Sequence, residues 1–323
     1  MFYKTDIITD KMNRAGQAQT PFLFGIDYEL NEGFFVEHPE QQNEILFRFG
    51  EVGNVAQPSS NVDTITFDSH PVSFEDYKIK FDNAIEQMKE KEVELINLTI
   101  KTPLATSLLL SDIFNHSKAK YRIHVPGRFV CFSPETFVRT AHGKLYSYPM
   151  KGTISADVPD AEATIINNPK EIAEHTTAVE LVKEDLSKIG NNIHTRRFRY
   201  VETIENHRGK LLQVSSEVEA ALPNNFNDNI GTHILKLLPA GSIAGYPKTE
   251  ALDIISAAEG EPRSYYSGIA GYFDGQDIDC CVLIRFIEET DGHLFFRSGG
   301  GITLNSRSEH EYREAIQKIY LPF

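Results

Sequence analysis

Along this chain, short stretches in which every second position is apolar alternate with a few longer ones whose apolar positions recur every three or four residues. The first third is of the former kind. FLFGIDYEL (22–30), EILFRFGEVG (44–53) and TITFDS (64–69) each lie between turn-forming residues, a pattern that predicts strands. A helical period follows in SFEDYKIKFDNAIEQMKEKEVE (73–94). There Tyr77, Ile79, Phe81, Ala84, Ile85 and Met88 make one apolar face, and Ser73 supplies an N-cap. LINLTIKTPL and YRIHVPGRFVCFSPETFVR return to strand character. KEIAEHTTAVELVKEDLSKIG (170–190) predicts a second helix, closed by Gly190 as its C-cap. The last third alternates strands, DCCVLIRFIEE and HLFFRSGGGITL, with helices at TEALDIISAAEG and SEHEYREAIQKIY. Runs of strands broken by a few long helices predict an α+β chain with antiparallel sheets. No fixed-period repeat, low-complexity tract or linker interrupts it. The reading is one domain over 1–323, with a strand-rich N-terminal part (1–72) and a core (73–323).

Charge narrows the partners. The 323 residues carry a net charge of -14, which disfavours nucleic acid and anionic membrane surfaces, since both call for basic faces. An anionic small substrate then needs a bound cation or local Arg and Lys. The three cysteines, Cys131, Cys280 and Cys281, fit no zinc spacing and no secreted disulfide framework. The opening MFYKTDIITDKMNRAG lacks the apolar core of a signal peptide, and no apolar run approaches a membrane span. A soluble, cytoplasmic protein is the expectation.

Several residues could carry chemistry. Glu171/Glu174 and Glu311/Glu314 each sit three apart on a predicted helix, so each pair projects two carboxylates to one side. They form either a solvated acidic face or a hard-cation site; Mg²⁺ takes one or two carboxylates plus waters and an anionic substrate oxygen. LPAGSIAGYPK (238–248) and SGGGIT (298–303) are either tight turns or anion cradles of backbone N–H groups, and neither has P-loop or dinucleotide spacing. Arg285, inside the apolar run CCVLIRF, calls for a fixed carboxylate partner unless it faces outward on an edge strand. Lys151, in YPMKGTISAD, is a solvated loop charge or a nucleophile on a tight turn. Glu135, in FSPETF, is a turn residue or a general acid. His175, beside Glu174, reads as a supporting residue. Local signatures of Ser/His/Asp or Cys/His hydrolases are absent.

Taken in order, these segments resemble those of the chorismate-utilising enzymes. FSPETF resembles the family's SPE segment, PMKGT its P-I-[KA]-G-T turn, and KEIAEH its K-E-x-A-E-H helix. PAGSIAGYPK, YYSGIAGY, the IR pair, SGGGI and EYREA follow with matching order and spacing, from about Phe22 to the C-terminus. The resemblance implies two facing antiparallel β-sheets with helices packed outside. Within the family, Lys151 resembles the lysine of aminodeoxychorismate synthases, where most anthranilate synthases carry alanine. Leu95 stands where the water-adding members carry a lysine base, and PFLFGIDYE lacks the tryptophan-sensing LLES element.

The resemblance then implies roles. Glu174 and Glu314 resemble Mg²⁺ ligands, with Glu171 and Glu311 beside them, and Lys318 and the Gly299, Gly300 and Gly301 backbone would help hold the ring carboxylate. Tyr266 and Arg285 resemble the pair that holds the enolpyruvyl carboxylate. Thr153, Gln213, Ser242 and Gly245 fall in the other substrate-contacting motifs. Glu135 resembles the acid that protonates the departing 4-hydroxyl, and Lys151 the nucleophile that adds to C2. Ammonia, supplied by a separate glutamine amidotransferase, would then give 4-amino-4-deoxychorismate, a folate precursor. The sequence departs from the pattern at Gln213, where histidine is usual, at Ala244, where a hydroxyl residue is usual, and at Glu180, Lys183 and Glu184. These departures keep two alternatives open: anthranilate synthase component I, and a chorismate-binding protein with reduced or lost turnover.

Overall fold

The computed structural model describes residues 1–56, 65–206 and 209–323. Among them, the strands form two sheets in which every pairing is antiparallel. The first runs Phe2–Lys4, Glu32–Glu37, Phe22–Ile26, Ile269–Phe273, Ile278–Val282, Thr136–Ala141, Lys144–Ser147 and Gly209–Ala221. Met150–Ser155 and Asn191–Asn206 both pair with that last strand. The second runs Gly245–Tyr246, Leu95–Thr106, His293–Thr303, Phe286–Thr290, Phe129–Ser133, Tyr121–Val125, Leu46–Phe49 and Val52–Gly53, with Phe67–Ser69 on the far end of Leu95–Thr106.

The sheets face each other across an aromatic core. Leu23, Phe34, Tyr272 and Cys281 of the first sheet meet Phe47, Tyr121, Phe129 and Phe286 of the second. Central strands such as Phe22–Ile26 and Tyr121–Val125 are buried at every residue, because helices cover the outer faces too. Val179 and Leu186 of the Pro169–Ser187 helix, with Ile8 and Met12 of Thr5–Gln17, pack on the first sheet. Tyr77, Phe81 and Met88 of Phe74–Glu90 join Ile254 and Ala315 on the second. The predicted layered α+β architecture is the one observed.

The differences are local. The stretch 44–53 is not one strand but a tight hairpin, Leu46–Phe49 with Val52–Gly53. Thr64, at the head of the third predicted strand, lies outside the described residues. The Pro169–Ser187 helix ends before Gly190, whose N–H bonds back to the Leu186 carbonyl at 2.9 Å. Gly190 is needed for closeness, not for a left-handed cap: a β-carbon there would lie 2.9 Å from Ala220 Cβ.

One buried carboxyl has a measurable signature. Asp27 is 5% exposed and accepts N–H bonds from Asn31 and Glu32. Burial outweighs those bonds and raises its pKa to about 6. The folded chain therefore holds this proton more tightly than the unfolded one. Asp27 then weakens folding progressively as pH rises from 3.8 to about 6, and fully above that. Asp27→Asn should raise stability at pH 7.5 by up to about 3 kcal/mol and leave it nearly unchanged below pH 4, as melting curves at the two pH values would show.

Candidate active site

Four stretches far apart in sequence converge at one end of the facing sheets. The first is the strand Met150–Ser155. Its register against Gly209–Ala221 passes from Met150↔Ser215 to Thr153↔Gln213, three steps on one strand against two on the other. Lys151 and Gly152 therefore form a β-bulge, with Gly152 at φ 90°. The sequence predicts a tight turn here; the bulge replaces it, bending the strand and re-aiming the lysine. The positive φ favours glycine, and a β-carbon at 152 would also sit 2.7 Å from Glu171 Oε2, the movable end of that side chain.

The second is the Pro169–Ser187 helix. Lys151 Nζ lies 3.3 Å from Glu174 Oε2. One residue on, His175 is fully buried, with Nε2 at 2.7 Å from Ser216 Oγ. Burial pushes its imidazole down to about 4, so it is a neutral strut under the bulge, as the supporting reading expects.

The third is the strand His293–Thr303. HLFFRSGGGITL is the strand that its pattern predicts, and of the readings left open for SGGGIT the tight turn is not the one observed: the strand continues through it, with Gly299, Gly300 and Gly301 opposite Thr99, Leu98 and Asn97. Pairing with Phe286–Thr290 stops at Arg297, so beyond it the other edge is open. Half of the backbone is thus spent on the sheet and half faces the site. Lys318 Nζ donates to the Gly299 carbonyl at 2.7 Å, and strand alternation turns the Gly301 N–H and C=O to the same side. The bare α-carbons leave room for charged groups. A β-carbon at Gly300 would lie 3.4 Å from Lys318 Nζ, 3.5 Å from Glu314 Oε1 and 3.8 Å from Glu311 Oε2. At Gly301 it would lie 3.3 Å from both Lys151 Nζ and Leu95 Cδ1.

The fourth is the Ser308–Gln317 helix, which carries Glu311 and Glu314, with Lys318 just beyond it. Lys318 Nζ is 2.7 Å from Glu314 Oε1. Burial lowers the Lys318 pKa against the pull of Glu314, and the Arg285 and Lys151 cations add to the lowering. Glu311, Glu314, Lys318 and Lys151 therefore gather around one glycine strip, with Glu174 on Lys151 and Glu171 against Gly152 in the neighbouring bulge.

A cleft of about 590 Å³ opens over it, lined by Lys151, Glu174 and Glu311 together with Leu95, Arg307 and His310. The last two are absent from the sequence reading. They flank SGGGI and EYREA, but a lone Arg and His at the start of an acidic helix have no distinguishing spacing. Among the described residues, no three acidic, His or Cys side chains form a preformed metal cage. Mg²⁺ needs only one or two carboxylates beside water and substrate oxygens, a set that Glu311, Glu314 and Glu174 suit.

The other predicted residues fall around this centre unevenly. Arg285 is not inside a strand. Leu283–Arg285 crosses from the first sheet to the second, and Arg285 takes the left-handed φ of 55°. Its Nε donates to Tyr320 Oη at 3.0 Å; among the described residues it has no carboxylate partner, contrary to the expectation. Tyr266 is buried against Phe286, and burial pushes its phenol up to about 12 while Arg263 and Arg285 pull it down. Gln213, paired with Thr153, lines a separate cavity of about 670 Å³ with Lys120, Arg139, Met150 and Tyr320. Glu135 lines a third, of about 30 Å³, between Ser147–Pro149, Asp185 and Gly241.

The PAGSIAG segment forms a single helical turn, Gly241–Ala244. The Gly241 N–H donates to Asp185 Oδ2 at 3.0 Å, so the protein's own carboxylate fills the predicted anion cradle. Gly245, at φ 105°, packs its α-carbon on the Leu95 carbonyl instead of facing the cleft. The Ser242 side chain lies outside the described residues.

A family model described as chorismate binding enzyme matches residues 9–322. An uncharacterised PabA-like protein of Pasteurella multocida is 41% identical over 96% of each chain. The aminodeoxychorismate synthase component 1 of Bacillus subtilis is 27% identical over 74% of this chain and 54% of its own. Among solved structures, the menaquinone-specific isochorismate synthase of Escherichia coli superposes with a TM-score of 0.77 at 19% identity, covering 98% of this chain and 82% of that one. Two facing antiparallel sheets, the glycine strip between paired glutamates and the family match over nearly the whole chain lead to one conclusion: the protein belongs to the chorismate-binding enzyme family.

Proposed function

We propose that this chain is an aminodeoxychorismate synthase component I, which replaces the 4-hydroxyl of chorismate with an amino group. The observation that carries the reading is the meeting of Lys151 Nζ and the Leu95 side chain over Gly301. A primary amine stands at the cleft, and its neighbour is an aliphatic group that cannot activate water. The amine adds to C2 of the ring as the ring double bonds shift and the C4–O bond breaks. Ammonia then adds at C4, the double bonds shift back, and the lysine leaves as the amine. Glu135, the glutamate of the SPE motif, supplies the proton for the departing hydroxyl. The substrate carboxylates are met by Lys318, Arg285 and the open edge of the glycine strand. Glu174, Glu311 and Glu314 would hold Mg²⁺, which when bound neutralises these carboxylates and the ring carboxylate of the substrate.

Ammonia has to come from outside this chain. Cys131, Cys280 and Cys281 are all buried, and burial pushes their thiols up, so none can serve as a glutaminase nucleophile. A separate glutamine amidotransferase is the partner this implies. The test is incubation of the full chain with chorismate, Mg²⁺ and ammonium, with products identified by mass and chromatography. The expected product retains the enolpyruvyl group and carries the amine at C4. Anthranilate would move the chain to the pyruvate-eliminating branch, and isochorismate to the water-adding one. Chorismate bound but not consumed would overturn the enzymatic reading.

A further inference from the structure

We infer that Tyr320, just beyond the Ser308–Gln317 helix, is a positioning residue that sets the orientation of Arg285 for a substrate carboxylate. The inference rests on the chorismate reading above. Arg285 is half-buried in the crossover between the two sheets. Its Nε donates to Tyr320 Oη at 3.0 Å, and its guanidinium carbon lies 5.5 Å from the centre of the same ring. No other side chain among the described residues pairs with it. A phenol is neutral, so the guanidinium charge stays uncompensated in a partly dry place, an arrangement that favours an arriving anion.

The geometry also selects how an anion docks. With Nε engaged by the tyrosine, the edge formed by the two Nη atoms remains for a carboxylate, the end-on form of a bidentate pair. Tyr320 is itself held. Its ring packs edge-on against Phe132 at 6.3 Å, and Leu321 beside it is buried. The Lys118 N–H donates to the Pro322 carbonyl at 3.1 Å, and the Phe323 ring meets His116 at 5.9 Å. The phenol is thus fixed by three independent contacts of the tail and in turn fixes an arginine whose left-handed backbone lies in a short crossover.

The test measures chorismate binding by calorimetry, with steady-state kinetics alongside, on the full chain. It uses Tyr320→Phe, Arg285→Ala and the double variant. Tyr320→Phe keeps the ring packing and removes one oxygen. It is expected to weaken chorismate binding about 3- to 10-fold, the effect of one hydrogen bond, with KM rising in step and kcat falling less. In the Arg285→Ala background the same change should add nothing, because both changes remove one interaction. Unchanged binding by Tyr320→Phe overturns the inference, and so does a full further loss in the double variant. A lowered melting temperature without the KM-against-kcat split would make Tyr320 a packing residue and also overturn it. A chain that binds chorismate but makes no aminated product sinks the amination reading, and the Tyr320→Phe binding ratio still decides the positioning role. A parent chain that binds no chorismate overturns both.

Discussion

Lys151→Ala should lower formation of 4-amino-4-deoxychorismate by roughly 10²- to 10⁴-fold, the usual effect of losing one positioned catalytic group. The fold should survive. The side chain is 30% exposed, and the bulge depends on Gly152, not on the lysine. In the parent, chorismate with Mg²⁺ but without ammonia should leave a covalent adduct on the peptide containing Lys151, visible by intact and peptide mass. The adduct should vanish in the alanine variant. Lys151→Arg separates nucleophile from charge. A guanidinium at 151 can still pair with Glu174 but stays protonated at any usable pH and cannot attack. Parent-level turnover by Lys151→Arg would mean that residue 151 acts only as a cation, and the covalent route would be wrong for this protein.

Much of this site is legible in the sequence because the chemistry sits on regular elements. Glu171 and Glu174, and Glu311 and Glu314, lie on helices whose apolar periods predict them, and i, i+3 spacing alone places each pair on one face. What the sequence could not supply is register and backbone handedness. The Lys151–Gly152 bulge follows from how Met150–Ser155 pairs with a strand some sixty residues later, a non-local fact. The same holds for Arg285. An apolar run containing one arginine reads as a strand, yet the run is two strands in different sheets joined by a left-handed residue. The glycine strip is legible as part of the strand HLFFRSGGGITL, but three consecutive glycines read equally well as a tight turn; in the fold they keep a strand bare where charged groups from two helices crowd against it.

The missed elements have a similar cause. The helix Thr5–Gln17 buries Thr5, Ile8, Met12, Ala15 and Gly16, of which only Ile8, Met12 and Ala15 join the apolar core, a stripe too thin to stand out until Ile230 and Ile234 are seen covering it. The long strands Asn191–Asn206 and Gly209–Ala221 form a hairpin that reaches to the sheet edge. RRFRYVETIEN is mostly polar, so it lacks the clean alternation that marks a half-buried strand.

The paired glutamates give the second large effect. Activity should vanish in chelator and return with Mg²⁺, and Glu314→Gln or Glu174→Gln should raise the Mg²⁺ needed for half-maximal rate by at least the 10- to 100-fold that loss of a supporting group around a metal causes. Glutamine keeps the shape and one carbonyl oxygen but removes the charge that a hard cation requires. Glu314 is 56% exposed and Glu174 22%, so neither change should unfold the chain, and melting temperatures near that of the parent would confirm that the loss is local. The two variants should nevertheless differ. Glu314→Gln removes the carboxylate charge that balances Lys318 while leaving it an amide oxygen and the Gly299 carbonyl as acceptors, which adds net positive charge beside the substrate carboxylate. Glu174→Gln frees Lys151 of its only described salt-bridge partner, so the lysine adduct should still form at saturating Mg²⁺. Full activity of either variant in chelator would remove the metal from the reaction and reduce the four carboxylates to a solvated acidic face around two lysines.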